Sequence, residues 1–224
     1  ILNILMTSYP REYNTLKVLA LEGDSVLSQV QDKDSLIHLI GYGLVECNQN
    51  NYAIKYSTID RFLCGEYRFE RQGLSVEEQK EEIQLRMNSA EMQLRILVRN
   101  TLQSMKGKTK AKDAVLNAMR SHNAISQRDV DKAETMAYPD LFDPSQNKMY
   151  FSLLKLIILD NLLVFENVFD GQDEVVIKNH FDAINYARRC PDHSYTETSV
   201  NWSWENFSAF REGMTWLENI ISEY

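Results

Sequence analysis

The stretch "SVEEQKEEIQLRMNSAEMQLRILVRNTLQSM", residues 75–105, carries a long helical pattern. Ser75 followed three residues later by Glu78 is a capping box, which predicts that a helix begins there. The same spacing at Asn88 and Glu91 leaves two alternatives open, one long helix or two helices joined by a kink. The apolar positions recur at a spacing that puts them on one helix face: Ile83, Met87, Ala90, Leu94, Leu97, Val98, Leu102 and Met105.

The chain after this stretch also favours helices. Gly107 is predicted to end a helix, because glycine suits the position just past a C-terminus. Asp143 is predicted to cap a later helix that has Pro144 at its first position. The expected helices are 110–121, 126–137, Asp143 to about Val168, Asp173 to Cys190, and Ser203 onward. Residues 71–224 are therefore predicted to form an up-and-down helical bundle of about four main helices.

Residues 1–70 have a different organisation. Helical spacing in "YNTLKVLAL" (13–21), "SVLSQV" (25–30) and "DKDSLIHLIGYG" (32–43) predicts three helices. The last of these is expected to bury Leu36, Ile37, Leu39 and Ile40. Alternation then appears in "GLVECNQNNYAIKYST" (43–58) around a polar tip, which predicts a β-hairpin, and "IDRFL" (59–63) returns to helix. The fold class is mainly α, with one small hairpin.

Composition narrows the possible functions. The formal net charge is −8, which argues against broad non-specific binding to nucleic acid. The three cysteines form no C-x-x-C pair and the four histidines are scattered, so we expect reduced thiols, no metal and no cofactor. The start lacks a basic-then-apolar leader, and the apolar runs are too short to cross a bilayer. We therefore expect a cytoplasmic chain that does not enter the membrane, cut from something longer.

The segments "LIGYGLVE" (39–46) and "NNYAIKYSTIDRFL" (50–63) resemble the winged-helix module that follows the nucleotide-binding core of many STAND and related AAA-type ATPases. The resemblance implies that this module packs on an upstream NTPase domain and relays its state. DNA binding is the other common use of the fold. Residues 1–70 hold six Lys and Arg against nine Asp and Glu, which favours packing or relay over DNA recognition.

A second polar cluster lies in "NYARRCPDHSY", residues 185–195. Arg188 follows Ile184 by four positions, so it is expected on the inward-leaning face of its helix. Proline disfavours helical geometry in the residue before it, so the helix is predicted to end at Cys190. Asp192 and His193 follow directly, which is expected to bring His193 close to Arg188.

The order Arg188-x-x-x-x-His193, at the junction before the last helix, resembles the signature of HEPN domains. The segment "AEMQLRILVRNTL" (90–102) is similar to the leading helix of that family, with Glu91, Leu94 and Arg95 in its pattern. The resemblance implies metal-independent RNA cleavage by a symmetric homodimer. Arg188 would bind the phosphate and His193 would carry the proton, roles that suit a guanidinium and an imidazole.

Several alternatives stay open. Active HEPN members commonly have Asn, Asp or His after the motif arginine, whereas this chain has Arg189, which could tighten RNA binding or mark an inactive member. Asp192 could supply the missing polar group. Trp202 and Trp204 could stack on bases or pack the start of the last helix. Arg188 and His193 could instead be structural, Arg188 by meeting the helix dipole, within a module that only dimerises or holds a partner.

Overall fold

The computed structural model describes residues 1–23, 33–48, 51–122, 125–147, 149–192 and 202–224. The protein is mainly helical, and its one sheet within these ranges has two antiparallel strands. It divides into two compact units, Ile1–Val76 and Glu77–Tyr224, against the predicted division after residue 70. No helix in the described ranges combines the length and the apolar character that crossing a bilayer requires.

The first unit contains four described helices and the hairpin. Its elements are α1 (Leu2–Ser8), α2 (Pro10–Glu22), α3 (Lys33–Gly41), β1 (Val45–Asn48), β2 (Asn51–Ile54), α4 (Ser57–Glu66) and a 3₁₀ turn (Arg68–Glu70). The predicted hairpin is confirmed, since β1 and β2 pair antiparallel with Val45 opposite Ile54. The helix predicted over residues 25–30 lies outside the described residues.

The core of the first unit is built mainly from leucines contributed by α1 to α4, among them Leu16, Leu39 and Leu63. The prediction that Ile37 and Ile40 point inward is wrong, because they are 63% and 38% exposed. The short helix α3 buries Leu36 and Leu39, which are one turn apart on one face. Each isoleucine follows a buried leucine by one position, which rotates it by about 100° toward solvent.

The second unit is entirely helical in its described part. Its elements are α5 (Val76–Ser121), α6 (Gln127–Thr135), a 3₁₀ turn (Pro139–Phe142), α7 (Phe151–Leu159), α8 (Leu162–Phe165), α9 (Glu174–Asp192) and α10 (Trp204–Ser222). The largest fully buried side chains of this unit are mostly aromatic: Phe151, Phe165, Phe169, Phe181, Phe207 and Phe210.

Helix α5 is continuous through Asn88, so the second capping pattern starts no helix. The break comes at Gly107, whose φ of 72° and ψ of 161° are accessible to glycine but strained for other residues. The prediction that Gly107 ends a helix is therefore confirmed. Met105 is 60% exposed rather than buried, because it lies at the end of the first segment and lines an open groove with Val164 and Tyr224.

The predicted helix start at Asp143 is wrong. The Asp143 carboxylate accepts hydrogen bonds from the Ser145 backbone N–H (2.8 Å), the Ser145 hydroxyl (2.7 Å) and the Gln146 amide (3.0 Å). These bonds close a turn that contains Pro144, and the first of them to weigh on its acidity, from the Ser145 hydroxyl, lowers the pKa of Asp143. Aspartate followed by proline suits a turn as well as a cap. The apolar helix begins instead at Phe151.

Helices α9 and α10 pack closely and run antiparallel. A side-chain Cβ at Gly213 would lie 3.0 Å from the carbonyl oxygen of His180 and 3.1 Å from Cγ1 of Ile184, so the helices approach at a distance only glycine permits. One turn later, the ring of Trp216 stacks on His180 with centroids 4.7 Å apart and on Phe169 at 5.6 Å. This contact fixes the orientation of α9.

A buried carboxylate joins α5 to α10. Glu82 is 6% exposed and accepts hydrogen bonds from Arg211 Nε (2.9 Å) and Nη2 (2.6 Å) on α10. Arg86, one turn along α5, bonds to Glu82 (3.4 Å) and to both carboxylate oxygens of Glu218 (3.0 and 2.6 Å). The partners on α10 rise in number as those on α5 rise, so the two helices run parallel.

Replacing Glu82 with Ala is expected to destabilise the second unit by about 3 kcal/mol, because two arginines lose the buried carboxylate they share. Urea unfolding followed by far-UV circular dichroism measures this. Glu134→Ala is the matched control, since Glu134 pairs with Arg120 at the surface, where an ion pair contributes at most about 1 kcal/mol. Equal losses in the two variants would contradict the structural role of Glu82.

Candidate functional site

Arg188 lies on the inner side of α9, next to the buried Ala187 and one turn after the buried Ile184. Its Nε atom is buried and has no hydrogen-bond partner among the described residues. The predicted helix end at Cys190 is wrong by two residues, because α9 continues through Pro191 to Asp192. A proline disfavours the helix before it without forbidding it. Arg189, not Arg188, is therefore the basic residue of the last turn.

A pocket of about 410 Å³ lies beside Arg188. Most of its wall comes from the first segment of α5, between Ile83 and Arg95, and Pro144 and Arg188 complete it. The pocket thus brings together the leading-helix pattern and the arginine of the R-x4-H motif, which are far apart in the sequence.

Glu91 and Arg95 form a fixed pair in this wall. Arg95 is 7% exposed, and its Nη2 donates to Glu91 Oε1 at 2.7 Å. The other carboxylate oxygen of Glu91 accepts from the backbone N–H of Phe151 at 3.2 Å, at the start of α7. Arg95 Nη1 is buried and has no hydrogen-bond partner in the described part of the chain.

The charged residues that line the pocket are two arginines and one carboxylate, so the pocket carries an excess of positive charge in a chain of net charge −8. Each arginine keeps one buried N–H without a partner among the described residues. A buried donor without an acceptor costs about 1–3 kcal/mol. An anion that reached these groups would remove that cost, and guanidinium groups bind phosphate and carboxylate oxygens strongly.

The other predicted site residues do not join this pocket in the described structure. His193 and the side chain of Asp192 lie outside the described residues. Arg189 is exposed. The Trp202 indole N–H donates to Gln79 Oε1 at 2.9 Å, and the half-exposed Trp204 packs on Phe207 with centroids 5.5 Å apart. Both tryptophans thus make packing contacts at the start of α10.

The amides of Gln84 and Asn88 line the pocket and were not expected from the sequence as site residues. With Glu91 and Arg95 they follow the spacing i, i+4, i+7, i+11, which puts all four on one stripe of α5. That polar stripe runs beside the apolar face of the same helix. It was a detectable pattern, although a polar stripe on a helix usually faces solvent.

The described residues contain no group of three or more His, Cys, Asp or Glu side chains that could hold a metal ion. No protein-family model, curated protein or solved structure matches this chain significantly. The geometry of the pocket and the sequence motifs therefore carry the functional argument.

Replacing Arg188 with Met is expected to leave the free energy of unfolding unchanged or to raise it by up to about 1 kcal/mol. The change removes a buried donor without a partner, and methionine fits helices as well as arginine does. Urea unfolding measures this. Arg86→Met is the control, because all three nitrogens of Arg86 are hydrogen-bonded, and we expect it to lose about 3 kcal/mol. A comparable loss in Arg188→Met would make Arg188 a structural residue.

Proposed function

We propose that the second unit is a metal-independent endoribonuclease of the HEPN type. The observation that supports this is the single pocket lined by Glu91 and Arg95 from α5 and by Arg188 from α9. Both parts of the family resemblance contribute to it. The excess positive charge and the spare buried donors give this pocket a reason to take a phosphate group.

In the proposed reaction, the ribose 2′-oxygen attacks the adjacent phosphorus while the bond to the 5′-oxygen of the next nucleotide breaks. His193 takes the proton from the 2′-hydroxyl, a task suited to an imidazole near neutral pH. Arg188 binds the non-bridging oxygens and offsets the charge that develops on them. The products are a 2′,3′-cyclic phosphate and a 5′-oxygen that takes up a proton. The role of His193 rests on the motif alone, since it lies outside the described residues.

Arg189 and Asp192 are the points where the chain departs from the commonest family pattern. The Arg189 side chain is exposed, and we assign it to the RNA backbone beyond the pocket, where a cation raises affinity. Asp192, next to the histidine, supplies a polar group on the far side of the motif. The alternative is a member without cleavage activity that only dimerises or holds a partner.

An apolar stripe on α5 supports the homodimer that either alternative requires. Leu85, Met92 and Ile96 are all about half exposed or more, and their spacing of seven and four residues aligns them on one face. A monomer rarely exposes such a contiguous apolar surface without a use for it. We assign this face to the contact between two copies of the chain.

The first unit is proposed to be a winged helix that relays the state of an upstream NTPase domain. Three helices, a hairpin and a following helix support that assignment. The outer face of α3, where a DNA-binding winged helix would carry cations, exposes Ile37 and Ile40. This surface suits a protein partner better than a phosphate backbone, so DNA binding is the weaker alternative.

The purified protein is expected to cleave single-stranded RNA in EDTA, and His193→Ala is expected to lower the rate by about 10²-fold or more. His122→Ala is the matched control, because His122 pairs with Asp160 at the surface and does not line the pocket. It is expected to keep the rate within about twofold of wild type. Cleavage by folded His193→Ala at the wild-type rate would remove His193 from the mechanism.

A further inference from the structure

We infer that Arg95 is a second phosphate-binding residue of the Arg188 pocket, and that Glu91 is the positioning residue that holds it there. The ligand would be a single-stranded RNA segment, with one phosphodiester contacted by both guanidinium groups. The choice of RNA as the ligand rests on the proposed function. The argument for Arg95 itself comes from its contacts within α5.

Helix α5 contains two Glu–Arg pairs with the same i, i+4 spacing, Glu82–Arg86 and Glu91–Arg95. All three guanidinium nitrogens of Arg86 have partners: Nη1 bonds to Glu82, while Nε and Nη2 bond to Glu218. Arg86 is thus fully used in joining α5 to α10. The pairs are about two and a half turns apart, so they project from opposite sides of the helix.

Arg95 differs from Arg86 in having a buried nitrogen to spare. Its Nη2 bonds to Glu91, but Nη1 has no hydrogen-bond partner among the described residues. The chain could have placed an apolar residue here at no cost in hydrogen bonds, as it does with the neighbouring Leu94 and Val98. A buried arginine with an unused donor next to a pocket therefore indicates a role outside the fold itself.

Glu91 keeps Arg95 from turning away. One carboxylate oxygen accepts from Arg95 Nη2 at 2.7 Å, and the other accepts from the Phe151 backbone N–H at 3.2 Å. Because Phe151 begins α7, the carboxylate is fixed by a second element of the fold. Arg95 is thus pre-organised, and an arginine held in place loses less conformational freedom when it binds an oxygen.

The pocket also suits the rest of a nucleotide. The amides of Gln84 and Asn88 offer donors and acceptors, and Met87 and Met92 offer apolar surface for a ribose or base. Its volume of about 410 Å³ is within the range of small-molecule sites. A phosphodiester has two non-bridging oxygens, so one can go to Arg95 and the other to Arg188. A single carboxylate side chain would leave the amides unused.

The test measures how affinity for a short single-stranded 2′-fluoro RNA depends on salt. This probe lacks the attacking hydroxyl, so binding is read without cleavage. For single strands, each phosphate contact by a cation contributes about 0.7 to the slope of log affinity against log salt. Arg95→Gln is therefore expected to lower the slope by about 0.7 and to weaken binding about tenfold at low salt.

Two variants separate this role from a merely structural one. Arg95→Lys keeps the charge and loses the fork, so it should weaken binding while the slope stays at the wild-type value. Arg99→Gln removes a charge from the same helix outside the pocket, where Arg99 bonds to Asn100, and should leave the slope unchanged. Circular dichroism and thermal unfolding establish that each variant is folded before its slope is measured.

The inference is overturned if folded Arg95→Gln keeps the wild-type slope, or if Arg99→Gln lowers it equally. The proposed function fails separately. If the slope falls in Arg95→Gln while natural RNA is never cleaved, the pocket binds phosphate and the nuclease assignment is wrong. If natural RNA is cleaved through His193 and the slope does not depend on Arg95, the nuclease stands and Arg95 is structural.

Discussion

The buried carboxylate of Glu82 is the constraint on which the second unit depends. A carboxylate removed from water must be neutralised, and here arginines from two helices provide the charge, Arg86 from α5 and Arg211 from α10. This pairing aligns α10 parallel to α5. Helix α9 then packs on α10 at Gly213, where the close approach sets its rotation. The position of Arg188 against the wall of α5 follows from these two contacts.

The same helix thus carries a stabilising and a functional version of one interaction. Glu82 and Arg86 are completely satisfied and hold the unit together, whereas Glu91 and Arg95 leave a donor unused. Unpaired buried polar groups are rare in folded proteins and tend to occur where a ligand completes them. Three such atoms are found in the described residues, and they belong to Arg95, Asn185 and Arg188. Arg95 and Arg188 line the pocket, and Asn185 lies one turn before Arg188.

Much of the fold could be predicted from local patterns. The apolar spacing on α5, the hairpin and the break at Gly107 each depend on a few neighbouring residues, so the sequence contains them directly. The errors arose where tertiary context decides. Asp143 and Pro144 fit a turn as well as a helix start, and Ile37 faces solvent because a nine-residue helix buries only one narrow face. Helix α9 continues past Cys190, since proline only disfavours the helical geometry before it.

The candidate site was predictable in part. Arg188 followed from its position after Ile184, but its meeting with Glu91 and Arg95 depends on how α9 packs. A polar stripe such as Gln84, Asn88, Glu91 and Arg95 has the pattern of a solvated helix face until the fold shows a pocket there. The tryptophans illustrate the converse, because an aromatic pair near a motif can equally pack a helix start, as Trp202 does through Gln79.

The central claim is that the Arg188 pocket serves cleavage of RNA through the ribose 2′-hydroxyl. The most direct measurement uses a DNA strand with a single ribonucleotide, incubated with the protein in EDTA. The account predicts a cut only on the 3′ side of that ribonucleotide, leaving a 2′,3′-cyclic phosphate, and no cut with Arg188→Met. Cleavage of the all-DNA strand, or products that carry a 3′-hydroxyl and a 5′-phosphate, would contradict it.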